Sequence, residues 1–165
     1  MNRACIVAAP AIAAFLLAAH AAAPADPSLI LDKPQSNYLL GCGGCHGPDG
    51  HSNPRLVPDL RNQVGYFLLT EAGREYLVRV PNVAFYTASN EELAAMLNYV
   101  VFSIGGVGVP AGAKPYSAAE VARLRKAPLT EVSLIDYRAR IVEELIGNYN
   151  APASLREYGT HRYAN

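Results

Sequence analysis

Cys42-Gly43-Gly44-Cys45-His46 is the stretch on which the reading of the whole chain turns. Its C-x-x-C-H spacing is the pattern of covalent haem attachment. On a turn of helix, thiols three residues apart project to one side and can add to the two vinyl groups of a single porphyrin. The adjacent imidazole then reaches the iron. His46 is therefore expected as the proximal iron ligand, with its second ring nitrogen donating to a backbone carbonyl that fixes the tautomer. One motif predicts one haem c, bound through Cys42 and Cys45.

Three other readings of the cysteine pair stay open on the sequence. A structural disulfide suits an oxidising compartment, and a redox-active C-x-x-C suits a thioredoxin-like chain. The second needs an α/β pattern, whereas strand-like alternation is scarce here and helical spacing dominates. A zinc site would want two further Cys or His at short spacing, and there is no second C-x-x-C.

The flanks agree with haem chemistry in an exported protein. Between Met1 and Ala23 the only charged side chain is Arg3, followed by the apolar run Ile6 to Ala19 and small residues around His20. This reads as a secretory signal spanning residues 1–21, with cleavage after Ala21. An uncleaved anchor is the competing reading, and the run is shorter than the ~20 residues a bilayer needs. Cys5 precedes the apolar run and would leave with the signal. No other apolar stretch has membrane length, so a soluble periplasmic or otherwise exported product is expected. The 165 residues carry 14 Lys plus Arg against 14 Asp plus Glu, a balance that excludes an electrostatic nucleic-acid binder.

Beyond the signal, residues 22–34 hold three prolines and predict an extended lead-in, with Ser36 and Asn37 capping the motif helix. Residues 47–58 have turn chemistry throughout. Tyr66, Leu69, Tyr76, Leu77 and Val80 predict one helix, weak at Gly73 and ended by Pro81. Ser89 and Glu92 form a capping box ahead of Leu93, Met96, Leu97, Val100, Val101 and Ile104, a helix that Gly105 and Gly106 terminate. Ser117 and Glu120 suggest a second capping box. Thr130 is expected to cap a last helix with Val132, Ile135, Ala139, Val142 and Ile146 facing inward. The expected organisation is a haem domain over residues 35–109, a helical extension over 110–147 packed on its outside, and a loose tail over 148–165.

At these residues the chain resembles the class I, mono-haem cytochromes c. The matching positions are Tyr38 to Gly41, the motif, Gly47, Gly50, Pro58-Asp59-Leu60, Tyr66 to Val78, and Asn98-Tyr99, covering about Ser36 to Ile104. The resemblance implies an all-α, haem-wrapping domain in which Pro58 supports His46 and Leu60 packs on the ring. It implies further that Gly41 lets the first helix approach Tyr99. Pro58 and Leu60 also fit an ordinary turn and a core residue.

Such proteins usually supply a distal Met from the loop before the last helix. Here that loop, residues 80–88, contains neither Met nor His. Met96 is the one methionine after the signal and the expected distal ligand, its alternative role being to fill core volume. His51 lies in a loop expected on the proximal side, and His161 in the tail. Without a sixth ligand the distal face would be open, lined by Val80, Val83, Phe85 and Tyr86.

The function expected from these features is one-electron transfer by a periplasmic mono-haem carrier, with no catalytic residue. Redox proteins are the expected partners, and the extension suggests a periplasmic dehydrogenase. The rival is a haem protein that binds a small gas at an open sixth position.

Overall fold

Helical turns make up all the regular structure of residues 31–159, the part of the chain that the structure, a computed structural model, describes; among these residues there is no strand. The fold is all-α. The expected signal peptide, with Cys5 and His20, lies outside the described residues, as do residues 22–30 of the lead-in, and His161.

The motif rides on α1 (Lys33–Gly41) and the single turn α2 (Gly43–His46). Asp32 caps α1, its Oδ1 accepting from the Gln35 amide at 2.8 Å. Ser36 and Asn37, expected as caps, therefore lie inside the helix, and the lead-in ends before Pro34. Pro34 is tolerated in the first turn because the N–H it lacks would have no intrahelical acceptor.

The helix expected from Tyr66 to Val80 is two elements. A 3-10 segment, Val64–Leu69, precedes α3 (Glu71–Arg79). The break falls at Thr70, whose extended backbone and hydroxyl, accepting from the Gly73 amide at 3.0 Å, start a new helix. Pro81 then opens a further turn, α4 (Pro81–Ala84), inside the segment expected as loop. The capping box at α5 (Asn90–Asn98) has both halves, Glu92 N to Ser89 Oγ at 3.1 Å and Ser89 N to Glu92 Oε2 at 3.2 Å. From Tyr99 to Ile104 the helix widens to π geometry, and Gly105 N reaches the Val100 carbonyl, five residues back, at 2.9 Å.

Two further helices follow. Ser117 caps α6 (Ala118–Leu124), but the Glu120 side chain does not close a second box, being held by Arg74 instead. Ser133, not Thr130, caps α7 (Leu134–Tyr149). The inward stripe is accordingly Arg138, Ile141, Val142 and Leu145, while Val132 and Ala139 face solvent. That stripe is turned by about 100°, one residue of helix, from the expected one. The loose tail expected over residues 148–165 differs in its described part, residues 148–159. Asn150 adopts a left-handed cap, and Ala151 and Leu155 bury against α7.

Two hydrophobic clusters result. One joins α1, α5, the π segment and α6 through Tyr38, Leu93, Leu97, Val101 and Val121; the other joins the 3-10 segment, α3 and α7 through Phe67, Tyr76, Ile141 and Leu145. Leu77 packs against both.

Arginines fasten residues 114–129 to the rest. Arg74 binds Glu120 through two bonds of 2.7 Å, donates to the Lys114 carbonyl at 2.7 Å, and lies 4.1 Å from the Tyr116 ring centroid. Arg79 reaches the Ala127 carbonyl at 2.7 Å. Arg125 spreads its fork over the carbonyls of Ala84, Tyr86 and Ala88 at 2.9, 2.5 and 3.0 Å.

Arg74→Ala is expected to cost about 2 kcal/mol in urea unfolding, because the pair is mostly shielded from water and bidentate. The hydrogen bond from Arg74 holds the Glu120 carboxyl below its ordinary value. A depressed folded value means that the pair's contribution is present above the unfolded pKa and lost as pH falls through the folded one. The difference between wild type and variant should therefore shrink in acid. Arg125→Lys, which keeps the charge but not the fork, is expected to speed amide hydrogen exchange across residues 84–90 while α7 stays protected.

Candidate functional site

A cavity of about 280 Å³ opens beside the motif. Cys42, His46 and Tyr38 form its wall on the motif side, and Val57, Pro58 and Leu60 come from the following loop. Leu77, Val80 and Val83 face it from α3, α4 and the residue between them; Met96, Leu97 and Val101 face it from α5 and the π segment. Leu134 and Tyr158 complete the lining from the C-terminal region.

His46 is held at the cavity edge by one hydrogen bond, Nδ1 lying 2.9 Å from the Pro58 carbonyl oxygen. A carbonyl can only accept, so the neutral ring carries its proton on Nδ1 and leaves the Nε2 lone pair free. Burial pushes the His46 pKa down, opposed by the Pro58 carbonyl and by Asp59. The ring is thus kept in its neutral, metal-binding form at neutral pH. Gly47 turns the chain directly after the ring at φ 77, and a side chain there would run into the His51 carbonyl. The Tyr38 hydroxyl donates to Gly47 O at 2.7 Å, which ties this turn to α1.

Cys42 is half-buried, and burial, then the neighbouring Cys45, pushes its thiol pKa up. Cys45 stands exposed on the same turn and outside the cavity lining. Both are free thiols. Met96 is only 2% exposed and faces the cavity from α5.

Several placements differ from expectation. Gly41 meets Tyr86 rather than Tyr99: a Cβ there would lie 2.6 Å from the Tyr86 hydroxyl. Tyr99 packs instead on Tyr38, ring centroids 5.7 Å apart. Of the residues expected to line the distal side, Val80 and Val83 do so, whereas Phe85 is 69% exposed and Tyr86 is turned onto Gly41. His51 is exposed, 3.5 Å from Asp59. Leu134 and Tyr158 were not foreseen in the site. The spacing of Leu155 and Tyr158, three apart, is the one sequence hint that the end of the chain returns to the cavity.

The competing chemistries can be set against this geometry. No strand is present among the described residues, which removes the thioredoxin-like scaffold. Nor, among them, does any group of three or more His, Cys, Asp or Glu gather to hold a metal ion by itself, so a structural zinc site has no ligand set. What remains is one imidazole with a free Nε2, two thiols on the same turn and an apolar cavity. A flat, largely apolar macrocycle that brings four metal ligands of its own fits that donor set. No helix among the described residues is long and apolar enough to cross a membrane.

No protein-family model matches the chain, and no solved structure matches it significantly. Among curated proteins, cytochrome c-552 of Thermus thermophilus is 30% identical over 118 residues, spanning 61% of this chain and 90% of its own length. A second cytochrome c-552, from one strain of Thermus thermophilus, is also 30% identical over 118 residues, spanning 61% of this chain and 80% of its own. A relative matched over 90% of its length is matched as a whole protein rather than through a shared pentapeptide, and this chain belongs to the c-type cytochromes.

Proposed function

We propose that the chain is an exported, periplasmic mono-haem cytochrome that carries single electrons between redox proteins, with haem c joined through Cys42 and Cys45. The observation that carries this reading is the His46 imidazole, fixed by Pro58 O at 2.9 Å with Nε2 free, at the edge of an apolar cavity that Cys42 also lines. When bound, haem c supplies the redox chemistry, its iron alternating between Fe(III) and Fe(II). His46 is the proximal ligand in this reading, Pro58 orients it, and Leu60, Leu77 and Val101 exclude water. Met96, buried in the cavity wall, would supply a second protein ligand to the iron through its sulfur. No side chain has to exchange a proton with a substrate.

In the same reading residues 1–21 are the export signal, residues 35–109 the haem domain and residues 110–147 an extension upon it. Partners meet the exposed side of the motif, where Cys45 and Leu40 face solvent, through a small and short-lived interface. Isolation of a stable stoichiometric complex with a periplasmic dehydrogenase would mark the chain as that enzyme's dedicated acceptor.

Expression with a haem-maturation system should give a coloured protein heavier than the mature polypeptide by one haem, and Cys42→Ser with Cys45→Ser should abolish the covalent attachment. Colourless material of bare-polypeptide mass would overturn the reading. Met96→Leu nearly conserves volume, so its stability cost should stay below about 1.5 kcal/mol. If the sulfur is the sixth ligand, the reduced variant binds carbon monoxide rapidly and its Soret band shifts, while the wild type binds slowly. Rapid binding by the wild type, with a Met96→Leu spectrum unchanged, would select the gas-binding alternative.

A further inference from the structure

Arg138 is the only charged residue buried among those described, 4% exposed on the inner face of α7. Its Nη1 donates to the Leu155 carbonyl at 2.9 Å, and its guanidinium carbon lies 5.4 Å from the ring centroids of both Phe67 and Tyr158. Among the described residues no carboxylate lies within ion-pair distance of it. Its company is a carbonyl and aromatic faces, which stabilise a cation without cancelling its charge. Tyr158 lines the cavity, as does Tyr76, which stacks on Phe67 at 5.6 Å. The guanidinium thus sits one ring behind the cavity wall.

Burying a cation that has no carboxylate partner among the described residues is costly, and an apolar residue of similar size would suit this core better on stability alone. The arrangement makes sense if the charge acts on something beside it. We propose that Arg138 is a positioning residue of the redox centre: it pins the C-terminal segment so that Tyr158 covers the cavity, and its buried positive charge raises the reduction potential of the group held there. This rests on the haem reading above. A fixed positive charge in a poorly screened interior favours the reduced state, because reduction lowers the positive charge of the centre by one.

The test is spectroelectrochemical titration of full-length, haem-bearing protein. Arg138→Met is expected to shift the midpoint potential downward with its Soret spectrum and helical circular dichroism retained, and Arg138→Lys to recover more than half of that shift. A folded Arg138→Met protein with the wild-type midpoint overturns the proposal, as does an Arg138→Lys protein shifted as far as Arg138→Met. Should Arg138→Met not fold, the double variant Leu155→Ala, Tyr158→Ala unpins the segment and admits water to the guanidinium. Its midpoint is then expected to fall, and an unchanged value overturns the proposal. A wild type without covalent haem overturns the haem reading and this inference together, whereas an unmoved midpoint in a haem-bearing chain overturns this inference alone.

Discussion

The hydrogen bond from His46 Nδ1 to the Pro58 carbonyl joins the two segments that the site cannot do without. One is the turn that holds the cysteines; the other is the loop that returns beneath it. In net stability such a bond is worth only about 1 kcal/mol. Its larger effect is directional, since it sets the ring plane and determines which nitrogen is free. The loop is braced to keep that carbonyl in place: Gly50 O accepts from Leu60 N at 2.9 Å and from Arg61 N at 3.1 Å, and Ser52 Oγ donates to Val57 O at 3.1 Å. Tyr38, fully buried, anchors the other end through Gly47.

Around this bracket the later part of the chain is joined to the earlier part by the two hydrophobic clusters and, at their margins, by arginine side chains that bind backbone carbonyls. The carbonyls at helix ends and in loops have no intrahelical partner, and a guanidinium fork can satisfy several at once. Arg125 does so for the segment after α4, the same segment that seats Tyr86 against Gly41 beside Cys42. Arg79 does so for the Ala127 carbonyl, while Leu129 N returns a bond of 2.8 Å to Arg79 O. Residues after 110 thereby shape a site whose motif lies far earlier in the chain, and Leu134 and Tyr158 enter its wall directly.

How much of this was legible in the sequence followed the range of the interaction concerned. The Ser89 box could be read because both of its hydrogen bonds span three residues. The box at Ser117 looked the same locally, yet the two short bonds of the Glu120 carboxylate go to Arg74, 46 positions away in the chain. Thr130 was the cap expected on local grounds, yet Ser133 caps the helix, and the face that this start buries carries Arg138, Ile141 and Leu145. Arg138 could not have been placed inward by hydrophobic periodicity, because the rings that accept it come from Phe67 and Tyr158.

By itself the sequence determined that a C-x-x-C-H turn lies in an all-helical chain, because those signals reside in spacings of three to five residues along one backbone. Pro58 and Leu60 were within its reach through the resemblance, and Met96 as the one remaining sulfur. Only the tertiary structure decided which tyrosine approaches Gly41, that Phe85 faces away from the cavity, and that Tyr158 comes back to line it. Those outcomes depend on contacts between segments tens of residues apart, where shape and unsatisfied hydrogen-bonding groups select the partner and no local pattern records the choice.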